Sequence, residues 1–582
     1  MLMRLTVFLA AAWLALVALA GPVHASEADD AFVQIANNYI AAMLKMEPES
    51  ATVIGEHRYD DRLTDRSATG IAKRTAYCRS VIKKLDAINA SALSKTNAID
   101  FAILRHNLER IIFENEELRE WEWNPLYYNM GNAIYSLLVR DFAPLGDRLQ
   151  SVRARLLRVP DVVAEAKANL KNPPKIHTET AILQNKGNIQ LIRNTVTEFV
   201  RRSGADDDEL RAVQEVAAGA LEDYGRWLTS ELLPVAHGDF RLGDLLWRKK
   251  LRFTLDSDLS REEILSRALA DLKATQETMY ETALPLYRKM RPHGHPETMD
   301  HDAVCRAVLD HIAEDAPDNT TIVDQARKTL TEAVAFTREH NLVTVPDKPV
   351  KLIVMPEFQR GVAVAYCDAP GPLDGKLSTF YAISPTPSDW SADRVKSFFR
   401  EYNNYMIYDL TVHEAMPGHY LQLAHSNEFK APTMVRAIYS SGSFVEGWAV
   451  YAERMMAEAG FGGPEEHMEQ LKMRLRVIIN AILDQKIHTG GMTEADAMAL
   501  MRKEGYQEEG EVAGKWRRAC LTSTQLSTYF VGSAEVEDLV ASYRRVHGAH
   551  ASIRKMHDKI LSYGSPAPKY IRRLMNLDVS SR

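Results

Sequence analysis

Apolar side chains along this chain recur mostly every three to four residues, the spacing that places them on one face of a helix. Phe32, Ile35, Tyr39 and Met43 form one such stripe, with Pro48 after it as a stop. Leu104, Leu108, Ile111 and Ile112 form a second. A third runs through Leu210, Val213, Leu221, Tyr224, Leu228 and Leu232 and ends before Pro234. Ser260 and Glu263 stand three apart ahead of Ile264, Leu269 and Leu272, the pattern of a capping box. Further helices are predicted over 401–412 and 443–458. In the latter, Phe444, Trp448, Tyr451 and Met455 share a face and Gly460 ends the run.

One region departs from the helical period. Residues 350–355, 361–367 and 378–383 are short runs rich in β-branched and aromatic residues and read as strands. A sheet there would either offer an edge to an extended peptide or cover one end of the core as a structural hairpin. Pro and Gly punctuate the chain at 173–174, 292–296, 370–375, 462–464 and 490–491, but no stretch is long or biased enough to be a flexible linker. The expectation is a mainly α fold. It would be a single large helical domain over 26–582, in one or two lobes around a deep cleft, with a small β-sheet near 350–384.

The first 25 residues need a separate reading. Met1-Leu2-Met3-Arg4 precedes an apolar run from Leu5 to Ala20, and Val23-His24-Ala25 has the small-x-small form of a cleavage site. This predicts a signal peptide over 1–25 and a periplasmic or secreted protein. The apolar run is short for a membrane span, and no later segment is long and apolar enough to make one. No cysteine lies near the cleavage site, which argues against a lipid anchor. Hydrophobic and charged contents of 46% and 26% are ordinary for a globular protein. A net charge of -7 is mild, so neither nucleic acid nor an acidic membrane surface is expected as a partner. Cys78, Cys305, Cys367 and Cys520 are too scattered for a disulfide framework or a CxxC metal site.

The candidate chemistry lies in His413-Glu414-Ala415-Met416-Pro417-Gly418-His419 and in a second block, Glu446 to Glu453, that begins 27 residues later. Two imidazoles, a carboxylate beside the first and a later helical carboxylate are the parts of a catalytic zinc site, which takes three protein ligands and keeps one position open. Residues six apart do not share a face of a regular helix. Pro417 falls four residues after His413, where its ring clashes with the His413 carbonyl, and Gly418 relaxes the backbone. The helix must therefore bulge or break at 416–418. A bulge would return His419 to the side of His413; the plainer alternative ends the helix at Met416 and has His419 cap the next one. Glu446 and Glu453, seven apart, share a helical face about 10 Å apart, too far for both to bind one zinc. Burying them beside Phe, Trp and Met is costly unless something pairs with them.

HEAMPGHYLQ followed by EGWAVYAE resembles a widespread bacterial family labelled a domain of unknown function. That family is treated as a group of predicted zinc peptidases related to thermophile-type carboxypeptidases and thimet oligopeptidases. The likeness extends through the Tyr127-Tyr128 to Phe142, Leu483-Asp484 to His488 and Thr524 to Gly532 blocks. It implies a mostly helical fold with a deep cleft, His413, His419 and Glu446 as zinc ligands, and Glu414 as general base. Gly447 beside Glu446 lets another backbone approach, which also favours Glu446 over Glu453. Glu453 would then accept a ligand's free ring N–H or pair with a basic residue. Related zinc peptidases often stabilise the oxyanion with a Tyr or His. Tyr529 is the main candidate and His488 the second, with a packed core tyrosine and a helix-end histidine as the plain readings.

The expected activity is zinc-dependent hydrolysis of amide bonds in short peptides. The alternatives are a zinc hydrolase of a non-peptide amide or ester, and a non-catalytic zinc-binding periplasmic protein. Against the last, a structural zinc site is normally closed and needs no base. The pattern sets neither the oligomeric state nor a choice between end-trimming and internal cleavage. His293, His295, His301 and Cys305 lack a partner motif and read as surface loop residues.

Overall fold

The computed structural model of the protein describes residues 26–204, 208–355, 360 and 363–577. The predicted signal peptide and residues 361–362 of the second predicted strand lie outside the described residues. Ser26 is the N-cap of the first helix, Glu27–Met46, and its hydroxyl and the Asp29 carboxylate complete a capping box. Phe32, Tyr39 and Met43 are buried along this helix. Pro48 both stops it and opens the next helix, Pro48–Ile54, at the first position, where a missing N–H costs nothing. The stripes at 104–112 and 210–232 fall on helices Lys95–Phe113 and Asp208–Trp227, the latter continued by a wider turn, Leu228–Leu232.

The helices that build or support the site follow. Helix α1 (Arg261–Met290) opens with the Ser260–Glu263 capping box. Strands β1 (Lys351–Val354), β2 (Ala365–Asp368) and β3 (Phe380–Ile383) come next. Then come α2 (Met406–Glu414), α3 (His419–Glu428), α4 (Gly442–Glu458) and α5 (Pro464–Gly490), followed by α6 (Glu509–Leu521) and α7 (Ser527–His547). The protein is mainly α, with one small sheet.

The sheet has the order β1-β3-β2. β1 runs parallel to β3 with Lys351 opposite Phe380, and β2 runs antiparallel to β3 with Ala365 opposite Ile383. Buried Tyr381 and Ile383 carry the sheet into an apolar cluster with Ile407, Leu410, Trp448 and Tyr451. A second cluster packs α1 on α5 through Ile264, Met279, Leu475 and Ile482. The buried residues of a third all lie within 128–232. The fourth joins Phe32, Tyr39 and Leu104 to Val435 and Tyr570.

The helix predicted over 401–412 is in fact two. Helix Ala392–Glu401 ends, and α2 starts afresh at Met406. The side-chain oxygen of Asn403 accepts the N–H groups of Tyr405 and Met406, both at 3.0 Å. This local bond competes with helix continuation, and it wins here although the apolar period runs on across the break. His301 and Cys305, expected in a loop, lie on helix His301–Ile312, where Cys305 is buried. All four cysteines are free thiols. No helix among the described residues is long and apolar enough to cross a membrane.

Candidate metal centre

Of the bulge and the break left open after His413, the structure has the break. Helix α2 stops at Glu414, and the Gly418 N–H returns to the Val412 carbonyl at 2.9 Å. A Cβ at Gly418 would stand 2.0 Å from the His413 carbonyl oxygen, so only glycine fits. The Trp448 indole of α4 donates to the Pro417 carbonyl at 2.9 Å and pins the corner. Helix α3 then begins at His419. The break itself brings the rings of His413 and His419 together, with centroids 4.6 Å apart and planes at 83°.

Helix α4 supplies the carboxylates. Glu446 Oε2 lies 3.6 Å from His413 Nε2 and 3.4 Å from His419 Nε2. One donor atom from each of the three residues can be chosen so that all lie within 4.8 Å of one another. Glu453, two turns on and almost wholly buried, places Oε1 at 2.5 Å from His413 Nδ1. The His413 imidazole therefore spans the gap between the two carboxylates. A carboxylate accepts, so this bond keeps the proton on Nδ1 and leaves the Nε2 lone pair facing Glu446 and His419.

The electrostatics of the cluster favour a cation. Burial works against the charge of Glu446, yet the two imidazoles outweigh it and hold its carboxyl far below the usual range. Burial likewise disfavours a charged His413, but the Glu446 and Glu453 carboxylates push its imidazole well up. Glu446 Oε2 and His419 Nδ1 are buried without a hydrogen-bond partner. Two imidazole nitrogens and one carboxylate oxygen are donors that suit zinc. Tetrahedral ligands at zinc distances stand about 3.3 Å apart, close to the 3.4 and 3.6 Å measured here. The residues present fit the ion.

The centre opens on a cleft of about 1700 Å³ whose wall includes His413, Glu414, Glu453 and Tyr529. Ile176 and Leu183 also line it, as do residues 363–365, at the start of edge strand β2. Helix α4 meets α7 backbone to backbone: a Cβ on Gly447 would be 2.2 Å from the Gly532 carbonyl carbon, and one on Gly532 would be 1.8 Å from the Ser443 carbonyl oxygen. Tyr529 lies one turn before Gly532.

Buried Asp484 of α5 sets the start of α7. Its Oδ2 accepts from the Ser527 N–H at 3.0 Å and its Oδ1 from the Thr524 N–H at 2.8 Å. The Tyr529 hydroxyl accepts from the Arg518 guanidinium at 2.9 Å. His488 lies elsewhere: it is buried, and its Nε2 faces the Ala519 and Thr522 carbonyls at 3.0 and 2.8 Å. It is not among the described residues that line the cleft. The packed reading fits His488, because a ring nitrogen committed to two carbonyls has no donor for a substrate.

Sequence reasoning assigned no role to Asp484 or Arg518. Asp484 lay within a block that carried the family resemblance. Arg518 carried no signal, being one basic residue on an amphipathic helix.

A family profile described as "Bacterial protein of unknown function (DUF885)" matches residues 48–575. A protein from Shewanella oneidensis, provisionally described as a lipoprotein of unknown function, is 33% identical with a TM-score of 0.80. The match covers 94% of this chain and 99% of that one. A second, from Colwellia psychrerythraea and also provisionally described as a lipoprotein, is 17% identical with a TM-score of 0.77, over 94% of this chain and 98% of that one. An M32 carboxypeptidase from Deinococcus radiodurans R1 aligns at 11% identity with a TM-score of 0.39, over 87% of this chain and 85% of that one. No curated protein matches the sequence.

Proposed function

Because the chain belongs to the bacterial DUF885 family, whose function is unknown, its activity has to be read from the site itself, and we propose that it is a zinc-dependent peptidase acting on short peptides. The observation that carries this reading is the convergence of His413, His419 and Glu446 within 4.8 Å on a cleft that Glu414 also lines. His413 Nε2, His419 Nε2 and a Glu446 oxygen would hold the ion, and Glu453 would fix the His413 ring from behind. Bound zinc would supply a Lewis acid for the scissile carbonyl and a more acidic water.

The remaining steps belong to the chain. Glu414 neighbours a ligand in sequence and faces the cleft, so it can take the proton of the attacking water and return it to the leaving amine. The Tyr529 hydroxyl, held by Arg518, can donate to the carbonyl oxygen as that oxygen gains charge. Donation from His488 is not retained. A cleft between helical walls admits an extended peptide more readily than a folded domain.

The test combines metal analysis of the purified protein with mass spectrometry of a digested peptide mixture. Stoichiometric zinc and cleaved peptides are expected, and Glu414→Gln should cut the rate at least ~100-fold while zinc stays bound. Absence of zinc, or near-full activity in Glu414→Gln, overturns the reading. Hydrolysis of simple esters or amides with every peptide left intact would move the substrate to a non-peptide class.

We also propose that the protein is exported and begins near Ser26. Ser26 already serves as the N-cap of the first described helix, so cleavage before it leaves every described helix and its cap intact. Intact-mass measurement of the exported chain checks this, and a chain that still carries Leu5 would refute it.

A further inference from the structure

The cleft wall carries several cations, and most are already matched. Arg476 pairs with Glu401, and Lys515 lies 3.7 Å from Glu511. Three have no carboxylate partner among the described residues: Arg394 stacks on Trp390, Arg517 donates to Thr180, and Arg518 alone of the three is held by Tyr529. It stands on α6 with its side chain open to the cleft, and no carboxylate pairs with it among the described residues. Its Nη2 donates to the Tyr529 hydroxyl at 2.9 Å and to Gln525 Oε1 at 3.0 Å. Its Nε and Nη1 donate to nothing among the described residues.

The guanidinium is thus clamped along one side and free along the other. It is held by Tyr529, which lines the same cleft as His413 and Glu414, and the Glu446 and Glu511 carboxylates act on it from farther off. A planar fork with fixed orientation and spare N–H donors is the group that recognises a carboxylate, and a pre-ordered fork loses less freedom on binding than a mobile one.

We propose that Arg518 is the substrate-carboxylate anchor of this site. The anchored group is either the C-terminal carboxylate of a peptide or an acidic side chain next to the scissile bond. The two share one chemistry. If it is the terminal carboxylate, the enzyme trims peptides from the C-terminus. If it is a side chain, it cuts beside Asp or Glu. This inference rests on the peptidase reading, since it names what the same cleft holds.

The experiment measures binding rather than turnover, so its failure is distinct from failure of the peptidase reading. The protein is the zinc-loaded Glu414→Gln variant, titrated calorimetrically with three probes: acetyl-tetraalanine as the free acid, its C-terminal amide, and the amide with Glu in the last position. A carboxylate-bearing probe should bind about 10–100-fold more tightly than the plain amide, the scale of one charge-assisted contact. Tight binding of the free acid alone identifies the terminal carboxylate; tight binding of the Glu amide as well identifies the side chain.

Adding Arg518→Ala should bring the ratio to about one. Arg518→Lys should recover part of it, and zinc content with circular dichroism shows that both variants are folded. In the active enzyme, Arg518→Ala should lower kcat for acid and amide alike as Tyr529 loses its holder, and raise KM for the preferred acid about 10–100-fold more than KM for the amide. Equal affinity for all three probes, no measurable binding of any, or an undiminished ratio in Arg518→Ala overturns the proposal.

Discussion

At the scale of the residue, the centre is organised by one imidazole. His413 meets Glu446 with Nε2 and Glu453 with Nδ1, so the two carboxylates that share a face of α4 have separable tasks. Glu446→Ala removes a donor and is expected to lose zinc and hydrolysis together. Glu453→Ala frees the His413 ring and should weaken zinc binding ~10–100-fold, with activity returning when zinc is added. Zinc affinity and rate measured on both variants decide this, and the reverse order would make Glu453 the ligand. The choice of Glu446 over Glu453 was legible from the family resemblance and from Gly447, whose close approach is to Gly532 of α7. The task of Arg518 was not. A lone arginine on an amphipathic helix reads as solvated until another helix brings a tyrosine to it.

At the scale of the element, glycines and caps place the chemistry. The break at Met416-Pro417-Gly418 was legible from the spacing of six between the histidines, since no regular helix puts both on one face. Its form was not, because a bulge and a break leave the same pattern. The split at Asn403 was hidden for a related reason: apolar positions kept their period across it while a side-chain oxygen took over the backbone donors. The α4–α7 contact is held by Gly447 and Gly532, and Glu446 sits beside it. Gly532→Ala would force a methyl into the Ser443 carbonyl, which must shift to admit it. We expect it to cost about 1–3 kcal/mol, read as a lower urea midpoint, and to weaken zinc binding as Glu446 is displaced. An unchanged midpoint would mean that the helices can slide apart freely.

At the scale of the whole molecule, the cleft was not legible, because it lies between helices distant in sequence whose stripes say only that they are buried. The molecule also carries a built-in acid sensitivity. His557 is fully buried, with Nδ1 at 2.7 Å from the Leu342 carbonyl and Nε2 at 2.9 Å from the Tyr451 hydroxyl of α4. Burial depresses its imidazole from the ordinary 6.5 to about 4, and burial does the same to His177. For both groups the unfolded chain binds the extra proton, so their contribution is full above pH 6.5 and is lost as pH falls towards 4. The loss is roughly 3 kcal/mol for each. Unfolding midpoints measured from pH 7 to 4 should fall, and His557→Gln should flatten part of the slope; a slope unchanged in that variant would contradict the assignment.

The fourth cluster has a further consequence. It sets Tyr39 and Leu104 against Val435 and Tyr570, and Lys95 donates to the Leu574 carbonyl at 3.4 Å. A polypeptide is made from its amino end, so the part of this core that is made first waits for a part made much later. Its keystone, Tyr570, is made 466 residues after Leu104. Contacts spanning nearly the whole chain are slow to find. The helices around Tyr39 and Leu104 therefore stay without this partner surface until Tyr570 has been made, whatever the local core at 128–232 has already closed.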